Sequence, residues 1–406
     1  MIGKLKKWLE PEQRFLGSVF LLAFAIRATY SLSRPENALS PDPFDWISIA
    51  TRIAGGEGLG GTFRPPGYSA FLAAIFFIFG KSITAARLAQ SLLGAGTCLL
   101  AYGSARRLYN SLAGRIAAVL VCCYPYFIAY SADLLSETLQ AFLLALGTWL
   151  LIKTGDEPTW ENAALTGAAI AASALTKSVV LPFFFLAGFW LWWRTSSFKT
   201  AFLAGFFALL AVFPWSARQY LSGSGSVSAP VSTPWLTLAG SSCDEAFWQE
   251  MRGEFDRPQD ETMNAPAIPK DWKWLSSLPP AERNTEARAR ALAWIKANPG
   301  KFYYLAYKRF RHFWRLRPMM AWPWQKYAAM ATSGIYIPLA LLWLLLARSY
   351  FRSNSLIIAL FCAYTLPHLF FVVTLRYRIP MDTFIIVAAS AAAAEGVRRL
   401  KLAGKT

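Results

Sequence analysis

The stretch GYSAFLAAIFFIF, residues 67–79, decides how this chain is threaded. It is apolar throughout, yet at about 13 residues it falls short of the ~20 that a helix needs to cross ~30 Å of hydrocarbon. If it crossed, every connection after it would change sides. Longer apolar runs lie on both sides of it, at roughly 15–33, 84–106, 112–130, 134–152, 161–177, 179–194, 200–219, 330–348, 354–373 and 378–396. With 67–79 held on one surface, alternate connections collect the basic residues. They carry Lys4, Lys6 and Lys7, then Arg106, Arg107 and Arg115, then Lys153, then Arg194 and Lys199, then Arg348 and Arg352, and last Arg398, Arg399 and Lys401. A cytoplasmic excess of Lys and Arg is what orients membrane helices. The expectation is therefore an all-α polytopic membrane protein of about ten transmembrane helices. Both chain ends are cytoplasmic, and 67–79 lies along the external surface as a juxtamembrane helix.

Composition agrees. Of 406 residues, 55% are hydrophobic and 16% charged, where a soluble domain carries about a quarter charged residues. The apolar runs are continuous, which selects helices over the alternating strands of a barrel. The net charge of +18 is scattered between apolar runs. It fits anionic lipid headgroups and excludes the contiguous basic stripe of a nucleic-acid binder. Residues 1–33 begin like a signal peptide, but the run from Phe15 to Leu32 is too long for an h-region and reads as an uncleaved first span. Cys98, Cys122, Cys123 and Cys362 lie in apolar runs, Cys243 stands alone in a loop, and His312 and His368 are far apart, so no zinc spacing is present. There is no P-loop, no GxGxxG and no internal repeat.

Three regions follow: an N-terminal transmembrane module, 1–219, with an external loop at 34–83; an external loop at 220–329; and C-terminal transmembrane helices, 330–406. In the first loop, 44–56 has a helical apolar pattern. In the second, helices are expected at 281–297, stopped by Asn298-Pro299-Gly300, and at 301–317, where basic and aromatic residues alternate as on an interfacial helix.

Certain residues break the charge rule. Arg64, Lys177, Arg218, Arg376 and Arg378 fall on external connections, which should be poor in cations. Snorkelling to headgroups is one reading. Convergence on an external anion, most simply a lipid phosphate, is the other. The acids are complementary. Asp42 and Asp45 precede the 44–56 helix, where either could serve as an ordinary cap. Glu137 sits in Leu134-Leu135-Ser136-Glu137-Thr138 inside an apolar run, where a bland role is harder to argue. A carboxylate beside bound phosphate could act as general base on a hydroxyl.

Asp42 before Trp46 and Ala50, the Gly-rich Gly55-Gly56-Glu57-Gly58, and Arg64-Pro65-Pro66-Gly67-Tyr68 together resemble the GT-C glycosyltransferases. So do Ala86-Arg87-Leu88-Ala89-Gln90, Leu135-Ser136-Glu137-Thr138, Pro214-Trp215 with Arg218, and Arg376-Tyr377-Arg378-Ile379-Pro380. The likeness is to bacterial relatives of the protein O-mannosyltransferases and of the lipid A aminoarabinose transferase. It implies an inverting sugar transfer from a polyprenyl-phosphate donor to a lipid, glycan or protein hydroxyl, on the external face of a bacterial inner membrane. It implies Asp42 as the base, with Asp45 left open as the alternative, because Asp42-Pro43 stands where many relatives have Asp-Glu. It implies Glu137 as a sugar or acceptor ligand, and Arg64, Tyr68, Lys177, Arg218, Arg376, Tyr377 and Arg378 as the donor-phosphate set. No cofactor is expected; a divalent cation stays open. The alternative is a lipid-linked sugar flippase, which needs no external base.

Overall fold

The computed structural model describes residues 10–36, 42–60, 64–221, 234–252, 275, 277–316, 323–371, 373 and 375–403. Among them every regular element is helical. The helices are α1 (Pro11–Ser33), α2 (Asp42–Ala54), α3 (Pro66–Phe79), α4 (Ile83–Leu108), α5 (Ser111–Cys122), α6 (Pro125–Ala132), α7 (Ser136–Asp156), α8 (Trp160–Thr176), α9 (Leu181–Thr195), α10 (Phe198–Gln219), α11 (Pro234–Ser241), α12 (Asp244–Met251), α13 (Pro280–Ala297), α14 (Pro299–Phe313), α15 (Pro323–Ala331), α16 (Ser333–Leu346), α17 (Phe351–Phe370) and α18 (Ile379–Ala403). Lys4, Lys6, Lys7 and Arg317 lie outside the described residues.

Among the described residues eight helices are long and apolar enough to cross a membrane, and the bent pair α5–α6, taken as one span, makes a ninth. The remaining expected span is α8, whose 17 residues reach about 26 Å. Ion pairs at its far end and on the neighbouring helices establish its course. Lys177, just after α8, meets Glu137 at the start of α7. Asp156, at the end of α7, meets Arg107 at the end of α4 and Arg194 at the end of α9. Thus α7, α8 and α9 each run between a Glu137 pole and an Asp156 pole. The start of α1 joins the Asp156 pole, where Glu12 pairs with Arg106. The chain is a multi-pass membrane protein. Its innermost helix is α18: 78% of its apolar stretch is buried, against 22% for that of α10.

The α3 helix does not cross. Its first turn packs on the last turn of α8, where a Cβ on Gly67 would lie 2.6 Å from Thr176 Oγ1 and 2.9 Å from the Leu175 carbonyl. After α3 the chain turns at Gly80, which has φ +68°, and α4 begins at the same pole. The α3 face bearing Tyr68, Leu72 and Phe76 is buried with Trp46, Ile47 and Ala50 of α2.

The span expected at 112–130 is broken by a 45° bend. Pro125 starts α6 at a position where its missing N–H costs nothing, and it holds Tyr124 in the extended region. That break leaves the last carbonyls of α5 without helical donors. Arg27, fully buried, supplies them: its guanidinium donates to Val121 O at 2.9 Å, Cys122 O at 3.0 Å and Ala23 O at 3.2 Å. Gly94 makes the room, since a Cβ there would come within 2.7 Å of Arg27 Nε.

In the second loop α14 ends at Phe313, short of the expected 317. Its basic residues do not all face outward. Arg309 is buried and donates to the carbonyls of Ser241, Leu369 and Phe370, and burial lowers its pKa to about 10. His312 accepts from Arg315 on Nδ1 and donates from Nε2 to Glu250 at 3.0 Å, and Lys308 pairs with the same carboxylate. Burial alone would raise the Glu250 pKa, but His312 and Lys308 hold it below the usual carboxylate value. Tyr303, Tyr307 and Phe310 are left exposed on the opposite side.

Candidate functional site

The Glu137 pole gathers most of the residues singled out in the sequence. Glu137 lies in the first turn of α7 and is only 1% exposed. One of its oxygens, Oε1, accepts from Lys177 Nζ at 2.6 Å and forms an ion pair with Arg376 Nε at 3.0 Å. Lys177 reaches it from the extended residue that closes α8. Arg376 reaches it from the 3₁₀ turn Leu375–Tyr377 between α17 and α18. Both cations also lie over the Tyr377 ring, at 5.2 and 5.4 Å from its centroid. The other carboxylate oxygen, Oε2, is buried with no hydrogen-bond partner among the described residues. Glu137 lines a small cavity with Gly94, Thr97, Tyr130, Thr138 and Ile379. Two cations thus converge on one buried carboxylate beside a cavity, and paired cations of this kind are the groups that bind phosphate oxygens.

A second group adjoins this one through the Gly67–Thr176 contact. Arg64 pairs with Asp45 at 2.7 Å and lies 4.7 Å over the Trp46 ring. Arg218 donates to Gly60 O at 2.8 Å from the end of α10 and lies over Trp215. Asp45 is therefore a paired, mostly exposed carboxylate. Asp42 opens α2; its side chain lies outside the described residues. Among the described residues no group of three or more His, Cys, Asp or Glu side chains could hold a metal ion.

Two expected donor-site residues stand apart. Tyr68 is fully buried and donates its hydroxyl to Gln90 Oε1 at 2.9 Å. Arg378 is also fully buried: it donates to Asp382 at 2.9 Å and to the carbonyls of Phe313 and Arg315. The Arg87 and Gln90 side chains prove to be cappers as well. Arg87 donates to Ala132 O, Arg34 O and Pro35 O, and Gln90 to Ser131 O and Asp133 O. Sequence reasoning missed Asp382, whose spacing of four from Arg378 on one helix was the available signal.

Comparison with known proteins bears on this arrangement. The Archaeoglobus fulgidus oligosaccharyltransferase in its apo form superposes with a TM-score of 0.61 at 13% identity, over 96% of this chain and 51% of that one. The chain has the GT-C fold. A second structure of the archaeal enzyme, AglB, in complex with an inhibitory peptide and a dolichol-phosphate, gives a TM-score of 0.59 at 15% identity, over 97% of this chain and 52% of that one. This GT-C chain thus spans about half the length of the solved structures it matches. Residues 63–217 match the family described as dolichyl-phosphate-mannose-protein mannosyltransferase. That segment holds Arg64, Glu137 and Lys177 and stops before Arg218 and Arg376. Bacillus subtilis (strain 168) YkcB, a candidate mannosyltransferase by name, is 32% identical over 118 residues, which is 28% of this chain and 16% of YkcB.

Proposed function

We propose that this GT-C protein transfers a sugar from a polyprenyl-phosphate carrier to an acceptor hydroxyl, with inversion. The observation that carries the reading is the convergence of Lys177 and Arg376 on the buried Glu137 carboxylate, with Arg64 on the loop between α2 and α3 and Arg218, from the end of α10, bonded to that loop. The match of residues 63–217 to a lipid-phosphate-sugar-dependent family supports it, as does the dolichol-phosphate held by AglB. In the proposed step the acceptor oxygen attacks the anomeric carbon and the bond from that carbon to the phosphate oxygen breaks. The acceptor proton passes to Asp42, the residue that opens α2. The phosphate leaves with one more negative charge than it had as a diester. Lys177, Arg376, Arg64 and Arg218 stabilise that charge where it develops. Glu137 Oε2, buried beside the cavity, accepts a hydroxyl of sugar or acceptor.

The excess of Lys and Arg in connections at the Asp156 pole supports placing that pole in the cytoplasm. The Glu137 pole then faces outward from the plasma (inner) membrane of a bacterium, with the donor lipid and surrounding membrane lipids as its partners. The acceptor is a lipid, glycan or protein hydroxyl.

The test uses the purified full chain, a labelled polyprenyl-phosphate sugar and candidate acceptors. Wild type should release polyprenyl phosphate in step with product, and Asp42→Asn should lose at least about a hundredfold in turnover. Full transfer by Asp42→Asn removes the assigned base. Donor carried across vesicles without turnover favours a flippase.

A further inference from the structure

The buried charges that the transfer step does not use form a chain of their own. Tyr124, at the break between α5 and α6, donates its hydroxyl to Asp382 Oδ2 at 2.6 Å. Asp382 Oδ1 accepts from Arg378 Nε at 2.9 Å. Arg378 Nη1 donates to Phe313 O at 3.1 Å and Arg315 O at 3.2 Å, carbonyls at and just past the end of α14. Arg378 and Asp382 are at most 1% exposed, and so is Tyr124. Burying an ion pair brings little stability compared with packed apolar residues. The location is more informative than the energy.

One end of this chain controls Glu137. Tyr124 is followed directly by the short α6, Pro125–Ala132, which leads into the turn before Glu137. The other end controls Arg376. Arg378 follows Arg376 by two residues, in the turn that also carries Tyr377, and its own N–H closes that turn on Leu375 O at 3.0 Å. The two segments that deliver the acid and a cation to one site are thus tied a second time, by a shared carboxylate deeper in the bundle. A 1 Å change between Glu137 and Arg376 would stretch their 3.0 Å ion pair to the edge of contact, and the attraction between two sheltered charges falls off with distance.

We infer that Tyr124, Asp382 and Arg378 are positioning residues that set the Glu137–Arg376 spacing, and with it the affinity of the site for a phosphate monoester. This assigns Arg378 a role away from the ligand, and it rests on the phosphate-binding reading of the Glu137 group. The same chain reaches α14 of the second loop, so that loop is held in register with the site.

The experiment is a double-mutant cycle on the full chain in detergent, titrated with a short-chain polyprenyl phosphate in a calorimeter. Asp382→Asn should weaken binding on the order of tenfold in the wild-type background and less than about twofold when Arg376 is already Ala, because the two act through one contact. A general structural role would weaken binding by the same factor in both backgrounds, and that result overturns the inference while leaving the site reading intact. Absence of binding by the wild type removes the site reading and the inference together. Tyr124→Phe, which deletes one hydroxyl, runs the same cycle if Asp382→Asn does not fold, with a factor of about three expected in the wild-type background.

Discussion

The two poles of the bundle use the same residue types to opposite ends. At the Asp156 pole, Arg107 meets Asp156 and Glu157 at 3.1 and 3.0 Å, Arg194 meets Asp156 at 2.9 Å, and Arg106 meets Glu12. Three cations face three acids, and all six side chains are at least 29% exposed. These pairs staple α1, α4, α7 and α9 in water. At the Glu137 pole, Lys177 and Arg376 converge on one acid that is 1% exposed. The first arrangement is open to water. The second is sheltered and lies against a cavity.

The largest expected effects fall on the sheltered Glu137 pole. Arg376→Ala should lower kcat/KM for the lipid-phosphate donor by about a hundredfold, as when one preorganised group that stabilises developing negative charge is removed. Glu137→Gln should separate binding from chemistry. It frees Lys177 and Arg376 for an anion, so affinity for polyprenyl phosphate is kept or increased, while turnover falls by a similar factor as the hydroxyl acceptor is lost. Unchanged turnover in both variants would erase the distinction between the poles.

Between them lies a buried cation with no acid against it among the described residues. There Arg27 donates to carbonyls, and Gly94 is shaped to it. Gly94→Ala should destabilise the protein by about 1–3 kcal/mol through overpacking, read as a lower melting temperature in detergent. The loss should shrink when Arg27 is replaced by Met, whose flexible end can give way. An equal loss in both backgrounds would mean that Arg27 and Gly94 do not share the contact.

Much of this was legible in the sequence. The helices were, because each apolar run and each basic connection reports its own place relative to the bilayer; even 67–79 revealed itself as too short to cross. Glu137, Lys177 and Arg376 were legible as charges in the wrong places, and the structure brings them to one point. The bend at Tyr124 was not, since Pro125 sits in a continuous apolar run whose composition fits a straight helix. Arg378 and Tyr68 looked like ligands because their motifs run beside residues that do converge. Which way a side chain turns from a 3₁₀ turn, toward the cavity like Arg376 or into the core like Arg378, depends on partners such as Asp382 and the end of α14. Adjacent positions in the sequence carry no trace of that choice beyond a spacing of four.

The smallest effect is expected at the exposed Asp156 pole. Asp156→Asn removes the shared partner of Arg107 and Arg194, yet Arg107 keeps Glu157 at 3.0 Å and every group involved is open to water. Exposed pairs contribute about 0–1 kcal/mol, and added salt screens them further. The variant should therefore melt within a few degrees of wild type, with a difference that fades at high salt, and should transfer sugar at the wild-type rate. A loss of turnover comparable to that of Glu137→Gln would require the two poles to be coupled through α7, the helix that carries both acids. A melting difference that persists in high salt would place Asp156 in a drier setting than its 29% exposure allows. The contrast between a staple and a site rests on neither being found.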